Sequence, residues 1–453
     1  YVVSANKFVI VEAYPATAMK IVSSTTLKGR ILGLFINKDN LVILERADSY
    51  PIKPTPQSSE PRIIPPIRVY GFHLKIYDIS KRETPNLIRE ISLKGDHVSS
   101  RMIGDWVYTV ASQPAIYQIQ NMREIILPSI TLDGEAREIP ATQIYYFDSS
   151  DIPTSYTTVV ALNIRTKDES AKYKVILTGY ATNMYVSAKN MYLTMPRGNW
   201  WLSEGSTIVH RIAFEGQGTE SQGSGEVPGR VLNQFSMDEY EGYFRIATTT
   251  GQVTRGGALS ANHVYVLGAM LNIVGRLEDL APGEQIHSAR FMGDKCFLVT
   301  FKKIDPLFTI DMSNPKEPKI LGKLKIPGYS DYLHPYDQNH IIGIGKETVE
   351  AEEGDFAWYR GLKISLFDVS DIKNPKEVGK LIIGDRGTES QVLRDHHAFL
   401  LDKRKGLLVI PVLEAKIFRE KYPSGIPPNT QGEYVFQGAY VLHMAPESGI
   451  TVK

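Results

Sequence analysis

Polar side chains that can bind an ion or a small polar ligand recur in five short stretches spread along the chain. The stretches are Ser99, Ser100 and Arg101; Asn233, Gln234 and Ser236; His287, Ser288 and Arg290; Ser330, Asp331 and His334; and Arg394, Asp395, His396 and His397. A cluster of such groups can hold an anion, a metal or a small polar molecule. We therefore predict a ligand or ion site built from Arg101, Arg290, Asp331, His334, Asp395 and His396. The alternative is that these groups bond one another and ordered water, or form salt bridges that only brace the fold.

The run Asp395-His396-His397 holds two metal-ligand side-chain types in consecutive positions. The sequence predicts a strand over Val392–Leu401, and neighbouring side chains on a strand point to opposite faces. Only one of the two histidines then faces a given partner. A metal site at this position therefore needs His334 or Asp331 as an additional ligand.

The elements that must position these residues are best defined in the stretch Glu284–Gly328. It predicts four short strands, with a turn at Gly293-Asp294 and a break at Asn314-Pro315. Four antiparallel strands in one short cassette are typical of a β-propeller blade. The end of the cassette recurs, because a third strand ends on Asp78, Asp311 or Asp368 before a Pro-containing turn and a fourth strand. A β-sandwich is the alternative fold, but sandwiches do not repeat a whole four-strand cassette.

Extending this pattern predicts an all-β, eight-bladed β-propeller, with seven blades as the alternative. The predicted blades are 1–29, closed with the C-terminus, then 30–95, 96–180, 181–229, 230–283, 284–328, 329–387 and 388–453. The chain begins at Tyr1 without Met and is predicted to be a single domain truncated at both ends. The first strand of each blade lines the central channel of a propeller. The five polar stretches lie on predicted first strands, so they are expected to converge there.

Net charge, cysteine content and hydropathy give three further predictions. Lys and Arg number 51 against 50 Asp and Glu, so the net charge of +1 predicts no nucleic acid and no anionic membrane as partner. Cys296 is the one cysteine and lies in an apolar run, which predicts a buried thiol. No apolar run has the length of a transmembrane helix.

Linear motifs of catalysis are absent from the sequence. It contains no Gly-x-Ser-x-Gly, no phosphate-binding glycine loop and no His-Glu-x-x-His. The scattered acidic residues define no glycosidase pair. The sequence predicts no cofactor, and a divalent cation in the channel or in an insert is the alternative that it leaves open.

Aromatic residues gather in three segments that interrupt the blades. They are Tyr145, Tyr146 and Phe147 in the insert Pro114–Tyr156, Trp200 and Trp201, and Phe356–Tyr359 in the insert Val349–Tyr359. Exposed aromatic side chains are favoured at binding surfaces. We therefore predict partner-binding loops at Tyr145, Tyr146, Trp200, Trp201 and Trp358.

Long strings of the sequence resemble a family of secreted prokaryotic β-propellers, found mainly in archaea and distantly related to tryptophan–aspartate repeat proteins. The strings are Ser99–Asp105, Leu232–Glu239, Phe244–Gly251, Leu280–Glu284, Ser288–Asp294, Asp305–Phe308 and Tyr332–Asp337. The resemblance implies an extracellular or surface-associated protein, and a thermophilic origin would account for its stability without disulfides. It brings no activity and no catalytic residue.

Two functions remain open from the sequence. The first is a noncatalytic module of the cell envelope, or of a larger surface assembly, that binds protein or glycan. The second is an extracellular hydrolase or lyase acting at the channel mouth. The absence of catalytic motifs favours the first.

Overall fold

The computed structural model describes residues 1–13, 16–52, 67–119, 122–146, 153–166, 170–198, 205–213, 220–254, 257–258, 260–301, 305–350 and 357–453. These residues form β-strands and short 3₁₀ turns, and they contain no α-helix. The chain divides into two compact units, residues 1–197 with 208–224, and residues 198–207 with 225–453.

The first unit is built on four antiparallel sheets, the last of which has its ends in the second unit. The strands in chain order are β1 (Val2–Ser4), β2 (Lys7–Glu12), β3 (Lys20–Thr26), β4 (Ile31–Asn37), β5 (Asn40–Ile52), β6 (Ile67–Asp78), β7 (Asn86–Lys94), β8 (Asp96–Ile103), β9 (Trp106–Pro114), β10 (Ile116–Ile119), β11 (Met122–Ile125), β12 (Ser129–Leu132), β13 (Glu135–Glu138), β14 (Ile144–Tyr146), β15 (Ser155–Asn163), β16 (Lys172–Thr178), β17 (Asn183–Val186), β18 (Asn190–Arg197), β19 (Ser206–Ala213) and β20 (Glu220–Pro228). The cores of the four sheets are β1–β2–β3, β4–β5–β6–β7, β8–β9–β15–β16 and β17–β18–β19–β20.

The second unit holds four more sheets of the same kind. Its strands are β21 (Arg230–Val231), β22 (Met237–Tyr240), β23 (Tyr243–Thr250), β24 (Val253–Thr254), β25 (Gly257–Ala258), β26 (Ala261–Leu267), β27 (Ile273–Leu280), β28 (Gln285–Met292), β29 (Lys295–Phe301), β30 (Asp305–Asp311), β31 (Lys319–Ile326), β32 (Tyr329–Pro335), β33 (His340–Glu350), β34 (Ala357–Asp368), β35 (Lys376–Ile383), β36 (Leu400–Asp402), β37 (Leu407–Lys416), β38 (Glu433–Ala445) and β39 (Gly449–Val452). Three of the sheets are the simple meanders β28–β31, β32–β35 and β36–β39.

The repeated turn after the third strand is confirmed in three sheets. Strands β6, β30 and β34 end on Asp78, Asp311 and Asp368, as the cassette predicts. The carboxylate of each aspartate accepts the backbone N–H two residues later, at 2.8, 2.9 and 2.9 Å. A short acidic side chain thus closes its own turn, and the fourth strand then begins.

The insert Pro114–Tyr156 forms strands that the sequence did not predict. It makes the hairpin β10–β11, and the hairpin β12–β13 extends the second sheet because β12 pairs with β7. Strand β14 then adds parallel to β16 at the edge of the third sheet. One insert therefore widens two neighbouring sheets.

Successive sheets pack face to face within each unit, and the hydrophobic cores lie between them. In the first unit, buried residues of β5 and β6 pack against those of β9 and β15, with Phe72 and Val160 among them. In the second unit, Phe297 of β29 packs with Phe367 of β34 in one such core. Stacked antiparallel sheets of this kind are the packing that the blade prediction requires.

Strand β8 carries a partly buried histidine. The ring of His97 lies 5.0 Å from that of Phe72, and its Nε2 is 2.8 Å from the Ser100 hydroxyl oxygen. Burial lowers the pKa of His97 from 6.5 to about 4. The imidazole is therefore neutral in the folded protein at neutral pH.

The burial of His97 predicts an acid-sensitive folded state. Because its folded pKa lies below 6.5, the unfolded chain alone gains a proton as pH falls from 6.5 towards 4, and the folded state loses up to about 3 kcal/mol. In His97→Gln this loss is absent, so its melting temperature should fall less between neutral pH and pH ~4.5 than that of the wild type. Val107→Ala, which truncates a buried apolar residue of β9, is the control and should lower the melting temperature equally at both pH values. An unchanged pH dependence in His97→Gln would contradict the prediction.

Replacement by alanine is expected to have opposite effects on the free energy of unfolding at two strand glycines. Gly345 of β33 lies opposite Ser330, and a Cβ there would overlap the carbonyl oxygen of Tyr329. At Gly33 of β4 a Cβ would meet only Leu44 Cδ1, at 3.5 Å. Gly345→Ala should therefore destabilise the protein by about 2 kcal/mol or more, whereas Gly33→Ala should be neutral or raise stability by up to ~1 kcal/mol. Urea unfolding of the two variants measures the difference, and equal effects would be inconsistent with the close approach at Gly345.

Candidate ligand-binding site

A β-bulge recurs near the start of the first strand in four sheets. The pairing register shifts between Ile31 and Gly33, His97 and Ser99, Ile286 and Ser288, and Ser330 and Tyr332. The extra residues in β28 and β32 are His287 and Asp331. A bulge re-aims the side chain of its extra residue, and these two side chains point at each other, with His287 Nδ1 3.4 Å from Asp331 Oδ1.

The first strands β28 and β32 meet side by side in the second unit. The Ser288 hydroxyl donates to the carbonyl oxygen of Ser330 at 2.6 Å, and Arg290 Nε donates to that of Leu333 at 3.0 Å. Side chains of β28 thereby bond backbone carbonyls of β32. This confirms, inside the second unit, that first strands of successive sheets bring distant sequence positions together.

Arg290 is held against aromatic faces. Its guanidinium carbon lies 4.3 Å from the ring centroid of Phe235 and 5.8 Å from that of Tyr332. Phe235 belongs to the 3₁₀ turn Gln234–Ser236, which precedes β22. Stacking on both rings adds a cation–π attraction and fixes the guanidinium between two sheets.

His334 lies beside this stack as a neutral imidazole. Its Nδ1 is 2.9 Å from the Tyr332 hydroxyl oxygen, and its ring centroid is 4.4 Å from that of Phe399. Burial, followed by the charges of Arg290 and His396, lowers the pKa of His334 to about 4. At neutral pH its ring therefore takes part as a hydrogen-bonding and apolar surface.

The strand predicted over Val392–Leu401 is wrong. The chain instead makes two 3₁₀ turns, Gln391–Leu393 and His396–Ala398, and β36 begins only at Leu400. Ser390 Oγ accepts the N–H of Val392 at 3.3 Å, and Asp395 Oδ1 accepts that of His397 at 3.0 Å. These side-chain caps replace the strand pairing.

The two histidines consequently lie side by side, and the expectation that they face opposite ways is also wrong. Their ring centroids are 4.0 Å apart with planes tilted by 36°. Asp395 Oδ1 is 2.7 Å from His397 Nδ1. Burial would raise the pKa of Asp395, but the hydrogen bonds and positive charge from His397 outweigh it and lower that pKa below its usual value.

His396 joins this pair to the aromatic stack. Its Nε2 is 3.2 Å from the amide nitrogen of Gln234, and its ring lies edge-on to Phe235 at 4.9 Å. A single cluster in the second unit thus contains three of the predicted site residues, Arg290, His334 and His396. Sequence reasoning did not name the aromatic side chains Phe235, Tyr332 and Phe399 that hold the cluster together, although each lies within three residues of a named polar residue.

The other predicted site residues have different surroundings. Asp331 pairs with His287, and Asp395 pairs with His397. Arg101 lies on β8 in the first unit and is exposed. The role of these six residues as a ligand or ion site stays a prediction.

The predicted aromatic segments differ in exposure. Tyr145 and Tyr146 on β14 are 55% and 56% exposed. Trp358 is half-buried, with the guanidinium of Arg386 5.2 Å from its ring centroid. Trp200 and Trp201 lie outside the described residues, as do Phe147 and Phe356.

The Ser100–His97 contact does not have the arrangement of an activated nucleophile. The Ser100 hydroxyl donates to Thr109 Oγ1 at 2.7 Å, which directs its proton away from the imidazole. His97 Nε2 then donates to the Ser100 oxygen. A general base must instead accept the proton of the nucleophile, so this contact pairs partly buried polar groups of the sheet with each other.

Comparison with known proteins gives uncharacterized archaeal relatives. The chain is 50% identical over 188 residues to an uncharacterized protein of Methanocaldococcus jannaschii, and 45% identical over 192 residues to one of Archaeoglobus fulgidus. Each match covers 42% of this chain and 28% of the relative. Among solved structures, acylaminoacyl peptidase of Pyrococcus horikoshii matches with a TM-score of 0.36 and 10% identity, over 70% of this chain and 43% of that one. A likeness this distant says nothing about activity.

In the described part of the chain, no helix is long and apolar enough to cross a membrane.

The family is shown by a match along the whole sequence. The eight main sheets of antiparallel strands agree with the predicted eight blades. The family model described as Beta propeller domain matches residues 1–453. The predicted all-β propeller fold is therefore confirmed, and this chain belongs to the Beta propeller domain family.

Proposed function

We propose that this chain is a noncatalytic module of the archaeal cell surface that binds a protein or a glycan through exposed tyrosines. The observation that carries the proposal is the exposure of Tyr145 and Tyr146, 55% and 56%, on the edge strand β14. Tyrosine rings give large contact area at low cost in side-chain entropy. The extracellular location rests on the family resemblance of the sequence.

The edge position of β14 makes these rings reachable. Strand β14 is the outermost strand in the order β14–β16–β15–β9–β8, and it pairs parallel to β16 on one side. The ammonium group of Lys174 lies 4.2 Å from the Tyr145 ring centroid. This contact orients the ring. The exposed tyrosine rings suit a partner with flat apolar faces and a hydroxyl-rich rim.

Two histidines, His97 and His334, are poorly suited to general-base catalysis. A general base works best when its pKa lies near the working pH. His97 and His334 both have a pKa of about 4, the first because of burial and the second because of burial and nearby positive charge. Both rings are therefore weak bases at neutral pH.

The proposal predicts that binding depends on the tyrosine pair. The purified chain should bind envelope glycoproteins of its host, or glycans released from them, in a surface plasmon resonance assay. Tyr145→Ala/Tyr146→Ala should weaken this binding by at least tenfold, since aromatic anchors commonly contribute about 2 kcal/mol or more.

Tyr70→Ala provides the matched control, because Tyr70 is also a half-exposed tyrosine of the first unit, with Arg46 5.6 Å from its ring. It should leave binding unchanged. Failure to bind any envelope component, or an equal loss in both variants, would overturn the proposal. Turnover of an envelope polymer by the wild type would favour the hydrolase or lyase alternative.

A further inference from the structure

We propose that Asp395, His396 and His397 form a binding site for a divalent transition-metal ion such as Zn²⁺. Each of the three side chains has a ligand atom within 4.8 Å of the ligand atoms of the other two. Ligand atoms around one ion with bonds of about 2.0–2.2 Å must lie within roughly twice that length of each other. The spacing therefore lets one ion contact all three after small side-chain rotations.

The local backbone explains why three consecutive residues converge. Asp395 is extended, with φ −141° and ψ 104°, and precedes the 3₁₀ turn His396–Ala398. Its carboxylate folds over the turn to accept the N–H of His397 at 3.0 Å. The same cap brings the carboxylate to the His397 ring, next to which the His396 ring lies at 4.0 Å.

The types of ligand select the type of metal. Two imidazoles and one carboxylate suit borderline ions such as Zn²⁺, Ni²⁺, Co²⁺ and Cu²⁺, whereas Ca²⁺ and Mg²⁺ prefer oxygen ligands throughout. The carboxylate contributes one negative charge towards the charge of the ion. Three protein ligands leave further coordination positions for water or an exogenous group.

The surroundings orient the ligands and leave them accessible. The amide nitrogen of Gln234 lies 3.2 Å from His396 Nε2. Rotation of this amide would place its oxygen there to accept the Nε2–H, which fixes the ring and leaves the Nδ1 lone pair for the metal. Such outer partners tune metal sites. The side chains of Asp395 and His397 are 45% and 64% exposed, so an ion can enter from solvent.

Positive charge nearby limits the affinity. Arg290 lies 4.3 Å from the ring centroid of Phe235, and His396 lies 4.9 Å from the same ring. Arg394 directly precedes the site and is 80% exposed. Repulsion from Arg290, and from Arg394 to the extent that its ion pair with Glu389 leaves its charge uncompensated, is expected to weaken Zn²⁺ binding.

The test is a Zn²⁺ titration of the purified 453-residue chain, prepared without a histidine tag, by isothermal calorimetry at neutral pH. We expect one ion per chain and at least tenfold weaker binding in each of His396→Ala and His397→Ala. Asp395→Asn should also weaken binding, because the amide keeps the cap but loses the charge. Cobalt absorption in the visible range should report nitrogen ligands in the wild type and lose intensity in the variants.

The matched control is His340→Ala. His340 Nδ1 lies 2.9 Å from Asp337 Oδ1, the same kind of histidine–aspartate contact in the same unit. Among the described residues, no third ligand side chain lies close enough to complete a metal-binding group with this pair. Its removal should leave zinc binding unchanged. His397→Ala alters an exposed side chain, so it keeps the test valid if His396→Ala fails to fold.

Absence of stoichiometric zinc uptake by the wild type would overturn the proposal, and so would uptake that survives in the double variant His396→Ala/His397→Ala. Calcium binding of equal strength would contradict the choice of a transition metal. The result is independent of the proposed tyrosine surface, because none of these variants alters Tyr145 or Tyr146.

Discussion

The close approach of the first strands β28 and β32 is the constraint on which the candidate site depends. These strands belong to different sheets, yet Ser288 donates across to the carbonyl oxygen of Ser330 at 2.6 Å. A backbone carbonyl at an inner strand edge costs free energy if it is buried without a partner. Side chains of the neighbouring sheet supply that partner, and the bulges at His287 and Asp331 turn the adjacent side chains towards each other. A polar surface assembled from distant segments follows from this one contact.

Much of the fold could be predicted because its signals are local. An aspartate that ends a strand and accepts a hydrogen bond two residues later needs no information from the rest of the chain, and Asp78, Asp311 and Asp368 all behave so. The strands that the insert Pro114–Tyr156 contributes depend on partners far along the chain. Strand β12 pairs with β7, so its existence is decided by tertiary contacts that no local pattern shows.

In the candidate site, some features follow from local sequence signals and others depend on tertiary contacts. The strand prediction at Val392–Leu401 followed apolar residues and overlooked Ser390 and Asp395, whose side chains cap 3₁₀ turns and compete with strand pairing. Both residue types were readable as caps in the sequence. The bulges were not, because a bulge is a property of the register between two strands. The rings of Phe235 and Tyr332 that stack on Arg290 also come from different parts of the chain. Residue types and spacing could therefore suggest the polar residues of the cluster but not these aromatic ones.

The central claim is that segments opening successive sheets converge in the second unit, and a double-mutant cycle between Phe235 and Arg290 tests it most directly. Free energies of urea unfolding would be measured for Phe235→Leu, Arg290→Met and the double variant. The 4.3 Å stacking distance predicts a coupling free energy of about 1 kcal/mol. The control cycle combines Phe235→Leu with Lys323→Met. The Lys323 ammonium lies over a different ring, that of Phe308, so this pair should show no coupling free energy. Strictly additive effects for Phe235 and Arg290 would contradict the convergence.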